Sequence, residues 1–398
     1  MTQRDARIDF LRGFFILSMC VDHLGYLLQV IGNQAAAKVY TYQSLGWSSA
    51  AEFFVFFSGY VIATVYRRTL DARGFWRTQL RGLHRSWELY VRNGLVFLLV
   101  LALVPLLFAG SADSAGLLQG TRLYLAEDLG AQAVPAFMRF AYFPTFLEVL
   151  PLYMVLMAVA PAFLFVQARL RWLPIALSAA LWLAVQADPG LNFHTPGAWH
   201  FNPYAWQFVF FLGVWIATEM PLDRVDRSQR GRKLALALAL LAGCALLKAL
   251  DKADAVLPLV GALDVPGTGK TDLGPLRLLH FLLVLWLIAL AMPSGDWVRG
   301  HVLARSVARV GTHSLDCFCA SIVGCYLLAG LFALSARGTS VYFVLQAINM
   351  SSLVLFACWL QWLKTPPWRT PPAGPVRQPR DQDRAPQGAP GTGLGSAA

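Results

Sequence analysis

In the segment RDARIDFLRGFFILSMCVDHLGY, Arg12 and His23 stand eleven positions apart. At about 100° per residue they return to within roughly 20° of one helix face, separated by a rise of about 16.5 Å. That face carries a guanidinium near one end and an imidazole deep along it. Both lie in or beside an apolar run, 10–31, where ionisable groups are costly and are functional candidates by default. Histidine is the side chain best suited to accept and return a proton near neutral pH, and it usually needs a partner to orient it. Asp22 is adjacent, but consecutive helical residues do not face each other. Glu52, in AAEFFVFFSGY, and Glu148, in FPTFLEVLPLY, are the better candidates, and the sequence does not choose between them.

A second constellation is GTGKTDLGPLRLLHF, where Arg277 and His280 are three apart and share a helix face. GTGKT lacks the eight-residue nucleotide-loop pattern, so Lys270 is read as a contact for an anionic or sugar ligand. Snorkelling to an interface is the plainer reading of Arg277. The loop LNFHTPGAWHFNPYAWQFVFF adds His194, Trp199, His200, Asn202, Trp206 and Gln207. Its amides and aromatic rings suit sugar hydroxyls and faces, aromatic residues there also fit an interfacial belt, and its two histidines make no metal pattern. His313 and Asp316, in GTHSLDCFC, are expected to pair at i,i+3. Ser58 and Gly59 in FFSGY are read as close helix packing, because nothing nearby supplies a base for a nucleophilic serine.

The elements that must position these residues are membrane helices. The chain has 398 residues, of which 57% are hydrophobic and 14% charged, against roughly 25% charged in an average soluble domain. Mean hydropathy is +0.52. With about 20 mostly apolar residues per span, about ten spans are expected, near 10–31, 48–66, 91–110, 143–166, 172–187, 204–218, 234–250, 276–292, 311–334 and 341–363. If the N-terminus is cytoplasmic, the inner side collects 25 of the 33 basic residues, leaving Lys38, Arg122, Arg139, Lys248, Lys252, Lys270, Arg277 and Arg337 on the other. The expectation is an all-α, polytopic membrane bundle with both termini cytoplasmic. It comprises one membrane domain, 1–364, and a Pro/Gly/Arg-rich tail, 365–398, too polar to fold.

The formal charge of +11 follows topology rather than a continuous basic face, which excludes nucleic acid as the partner. The six cysteines fall in apolar stretches and read as small buried hydrophobes. No metal site, zincin, nucleotide-loop or dinucleotide fingerprint occurs in a plausible context.

RDARIDFLRGFFILSMCVDH, AAEFFVFFSGY, LPLYMVLMAVAP, FNPYAWQFVFFLG, LGPLRLLHF and GTHSLDCFC, in that order, resemble the OpgC family of membrane proteins. The Arg12-to-His23 spacing also resembles the R-x10-H motif of the broader acyltransferase-3 membrane acyltransferases. The resemblance implies an inner-membrane enzyme that adds succinyl groups to osmoregulated periplasmic glucans. An acyl-CoA donor, used as co-substrate with no permanently bound cofactor, would enter from the cytoplasm and meet a sugar hydroxyl on the other side. His23 maps onto the catalytic histidine and Arg12 onto the motif arginine near the donor.

On that reading Asp9 and Arg12 belong to the donor end, together with the basic stretch Arg67 to Arg92, read as a cytoplasmic loop that attracts phosphates. Glu52 and Glu148 attend His23. Lys270, Arg277, His280, Asn202, Trp206 and Gln207 contact the acyl group or the acceptor. Two other readings stay open: an O-acetyltransferase of another envelope glycan, and a proton-coupled exporter, since buried His, Arg, Asp and Glu also suit proton relays.

Overall fold

The computed structural model describes residues 5–32, 46–111, 113–193, 199–254, 267–335 and 338–364. The tail from Thr365, His194 of the aromatic loop, and Lys38 and Arg337 of the charge pattern lie outside the described residues. Among the described residues the chain is helical, with no strands. Two long helices come first, α1 (Ala6–Val30) and α2 (Ala50–Phe108), then three short ones, α3 (Ser114–Thr121), α4 (Tyr124–Leu129) and α5 (Ala133–Met138). Next are α6 (Val149–Gln167), α7 (Leu173–Ala187), α8 (Pro203–Glu219), α9 (Arg230–Asp254) and α10 (Pro275–Ala291). The last four are α11 (Gly295–Gly300), α12 (Val302–Thr312), α13 (Ser314–Ala333) and α14 (Thr339–Lys364).

Each apolar segment expected from the sequence falls on a helix, two of them on the single element α2. Among the described residues, six helices are long and apolar enough to cross a membrane: α1, α2, α6, α9, α13 and α14; α7 and α10 are shorter apolar helices.

The stretch Arg67 to Arg92, expected as a loop, is helical. Its residues are mostly good helix formers, and a run of arginines reports sidedness rather than conformation. The break is one residue, Gly74, whose φ of 74° and ψ of −179° interrupt the helix; side chains other than glycine rarely take that backbone. The two limbs of α2 fold back on each other, with Arg81 donating to Thr69 Oγ1 at 2.9 Å.

The centre of the bundle is α1, packed by α2, α12, α13 and α14, with α6 and α8 against α2. Small residues set the closest approaches. A Cβ on Gly59 would lie 2.1 Å from the Phe210 carbonyl oxygen, and one on Gly213 would lie 2.2 Å from that of Phe56. The close packing expected at Gly59 is therefore present, between α2 and α8. Because lipid is as apolar as the side chains, such contact, rather than exclusion of water, holds membrane helices together. The six cysteines are unpaired; Cys20, Cys317 and Cys325 are buried and the others half-buried.

Candidate active site

Among the described residues, α1 contributes to the walls of two cavities of interest. The larger, about 540 Å³, is lined by His23 and Asp22 of α1, Phe54 of α2, Arg122, Phe146 and Glu148 before α6, and His200, Lys270 and Phe318. The smaller, about 320 Å³, is lined by Arg12 of α1, Phe54, Ser58, Arg85 and Arg92 of α2, Tyr153 of α6, and His313, Asp316 and Lys364. Arg12 and His23 thus share a helix face, as their spacing requires, and open into different cavities. Phe54 is common to both linings.

His23 is packed from one side by the Phe146 ring, 4.1 Å away between centroids, and from another by Phe318, edge-on at 6.4 Å. Phe146 holds this place with a φ of 77°, a backbone region in which a bulky side chain is a genuine outlier. Strain of this kind is sustained only when the surrounding packing over-determines it, and it concentrates at functional sites. Nδ1 of His23 is buried with no hydrogen-bond partner among the described residues, so the imidazole is held by shape. An imidazole placed this way at a cavity wall is equipped to accept a proton from a ligand hydroxyl.

The two carboxylates expected beside His23 are engaged elsewhere. Glu52 is fully buried and accepts from Ser49 N at 2.8 Å, Ser49 Oγ at 2.7 Å and Arg277 Nη1 at 2.6 Å. It closes the start of α2, as a glutamate in the third helical position can, and does not line the cavity. Glu148 does line it, with its Oε1 3.0 Å from Arg122 Nη1.

Of the residues expected to meet the acyl group or acceptor, Lys270 reaches the cavity. The others hold its loop or brace the helices around it, because their polar atoms already have protein partners. Trp206 Nε1 donates to the carbonyls of Lys270 and Thr271 at 3.0 and 3.1 Å. Asn202 Nδ2 donates to Asp272 Oδ1 at 2.9 Å, and Arg277 Nε to the Thr268 carbonyl at 3.2 Å. Trp182 and Gln186 of α7 donate to the carbonyls of Leu273 and Asp272. Gln207 bonds Ser178 and so ties α8 to α7, while Nδ1 of His280 is 2.7 Å from Ser48 Oγ.

Charge on this loop face is arranged around burial. Burial pushes the Lys270 ammonium below its usual range; Arg277 pushes the same way, and Glu52, Glu148 and Asp22 oppose it. His200 is driven down to about 4, first by burial and then by Lys270, Arg122 and Arg277.

At the other cavity Arg12 donates to Ser314 Oγ and Arg92 pairs with Asp316. The expected His313–Asp316 pair is therefore absent: His313 is 3.2 Å from Gln361 Oε1 and 3.3 Å from Lys364 Nζ. Each member is taken by another partner: Asp316 by Arg92, and His313, at the junction of α12 and α13, by Gln361 and Lys364 of α14. Asp9 is buried beside Thr312, 3.4 Å from its hydroxyl, and is not in the cavity wall.

Sequence reasoning missed Arg122, Phe146, Phe54 and His200 as wall residues. Only His200 carried a signal, as a titratable group in an aromatic loop; a phenylalanine with positive φ has none.

A search of curated proteins and a search of solved structures each returned no match. A family model described as OpgC protein matches residues 4–365, which takes in both cavities and every helix described above. The chain belongs to the OpgC family.

Proposed function

We propose that this protein is an inner-membrane acyltransferase that moves a succinyl group from succinyl-coenzyme A to sugar hydroxyls of osmoregulated periplasmic glucans. Family membership points to an acyltransferase. The observation that carries the finer reading is the pair of cavities on α1, one rich in cations and one holding His23, separated by the Phe54 ring.

On this reading the donor enters from the cytoplasm at the smaller cavity. Arg12, Arg85, Arg92 and Lys364 supply positive charge suited to the donor's phosphates. The thioester reaches past Phe54, and the glucan hydroxyl enters the larger cavity from the periplasmic side. His23 removes the hydroxyl proton as the oxygen attacks the thioester carbonyl; a C–O bond forms and the C–S bond breaks. The proton then passes from the imidazolium to the leaving thiolate, so one residue serves as base and then acid. Glu148 and Arg122 neutralise each other in the wall, and Phe146 fixes the ring.

The test is product formation. The full chain in nanodiscs, given succinyl-coenzyme A and neutral periplasmic glucan, should yield an alkali-labile acidic glucan retained on anion exchange. A folded wild-type protein that yields none would overturn the reading, and proton-driven flux without thioester loss would favour an exporter.

A further inference from the structure

Arg122 and Lys270 line the larger cavity, and Arg277 stands behind the Lys270 loop; Arg122 is paired with Glu148 at 3.0 Å and Arg277 with Glu52 at 2.6 Å. Lys270 makes no ion pair among the described residues, and the contact of its Nζ is the Phe201 ring, 5.2 Å from the centroid. Asp22 also lines the cavity and, like Glu148, favours the charged form of Lys270. The Lys270 backbone is fixed by Trp206, and its loop is clamped at Thr268, Thr271, Asp272 and Leu273 by Arg277, Asn202, Gln186 and Trp182. So many anchors on one short loop fix the backbone from which the Lys270 side chain reaches the wall of the His23 cavity.

We propose that Lys270 is a specificity-determining residue that binds the distal carboxylate of the transferred acyl group, so that the site selects dicarboxylic over monocarboxylic acyl thioesters. The proposal rests on the acyltransferase reading above and deepens it. A succinyl group whose thioester carbonyl lies at His23 carries its carboxylate two methylenes further on, within the same cavity. A buried ammonium is costly until an anion joins it, and a carboxylate supplies a charge-assisted hydrogen bond at that point. An acetyl group leaves the ammonium without that partner. Sites built around a buried polar partner reject analogues lacking it far more strongly than apolar pockets reject a missing methylene.

The experiment measures kcat/KM with succinyl-coenzyme A, its distal methyl ester and acetyl-coenzyme A, using the full chain in nanodiscs and a neutral glucan acceptor. Wild type should prefer the free acid over both other donors. Lys270→Met should lose roughly a hundredfold with the free acid, the scale of removing one partner of a buried charge pair, and change little with the other two. Lys270→Arg should keep most of the preference. The methyl-ester comparison needs no variant and tests selection of the distal carboxylate by itself, while Lys270→Arg tests the assignment to Lys270 even if Lys270→Met fails to fold.

Equal use of the free acid and its methyl ester by wild type, or an equal loss with all donors in Lys270→Met, would overturn this inference and leave the acyltransferase standing. A change confined to the KM for glucan would move the anion site to the acceptor and also overturn it. Consumption of no thioester by folded wild type would overturn both readings together.

Discussion

Phe54 stacks on Phe318 with ring centroids 5.9 Å apart and an interplanar angle of 22°, and its other neighbour, Tyr153, meets it edge-on at 5.5 Å. Phe318 faces the cavity of His23 and Tyr153 the cavity of Arg12. The ring is thus a partition one side chain thick between a cationic chamber and an imidazole chamber. Replacing it with leucine keeps an apolar core residue and thins the partition. Phe54→Leu is expected to raise thiol release in the absence of glucan several-fold over wild type, as water reaches the thioester, while Phe54→Trp slows transfer to glucan. Unchanged glucan-independent release in Phe54→Leu would count against the partition.

Arg12 should act on the donor alone. Its guanidinium lines the smaller cavity with Arg85, Arg92 and Lys364, and a hydrogen bond to a charged group is worth about 1.5–3 kcal/mol. Arg12→Ala is expected to raise the KM for the acyl donor about tenfold or more and to leave the KM for glucan within error. Initial rates at crossed concentrations of the two substrates measure this split.

Legibility in the sequence followed the physics of each signal. Apolar runs located the helices, because a span needs a continuous stretch of apolar residues. The spacing of Arg12 and His23 located one face of α1, because the helical period is local. Gly74 was not legible as a turn between two limbs, since a lone glycine in a helix-forming stretch carries no such information. Arg277 and Lys270 looked equivalent as basic residues of one segment. Their difference is that Arg277 pairs with Glu52 while Lys270 closes no ion pair among the described residues, and it depends on a helix more than two hundred residues earlier. Asn202 and Trp206 were read as sugar contacts from their types alone, and their donors turn out to face the carbonyls and carboxylate of residues 270–272.

The Glu52–Arg277 pair is expected to matter for folding rather than for the chemical step. Glu52 is fully buried and Arg277 largely so, at 0% and 12% exposure, and removing one partner of a buried pair costs about 3–5 kcal/mol. Glu52→Gln and Arg277→Gln should each lower the thermal midpoint in detergent. The double variant Glu52→Gln/Arg277→Gln should recover part of the loss. Strict additivity in this cycle would show that the two residues act independently.

His200 gives a pH dependence with a definite sign. Its folded value of about 4 lies below the ordinary 6.5, so the folded protein keeps it neutral where the unfolded chain takes up a proton. Stability contributed by this site is full above about pH 6.5 and is lost as pH falls toward 4. His200→Gln should therefore lose less thermal stability than wild type between about pH 7.5, above the ordinary value, and about pH 5, below it, in the same detergent. Parallel losses in the two proteins would show that other groups govern the acid limb.

Proton transfer by His23 during acyl transfer is tested by following free thiol from succinyl-coenzyme A in nanodiscs. Wild type, His23→Ala and His23→Gln would be compared at equal folded yield, with and without periplasmic glucan. The account predicts glucan-dependent thiol release by wild type and a loss in both variants of at least about a hundredfold, the lower scale of general acid–base catalysis, with donor affinity unchanged. Glucan-dependent release that survives in His23→Ala at the wild-type rate would contradict it.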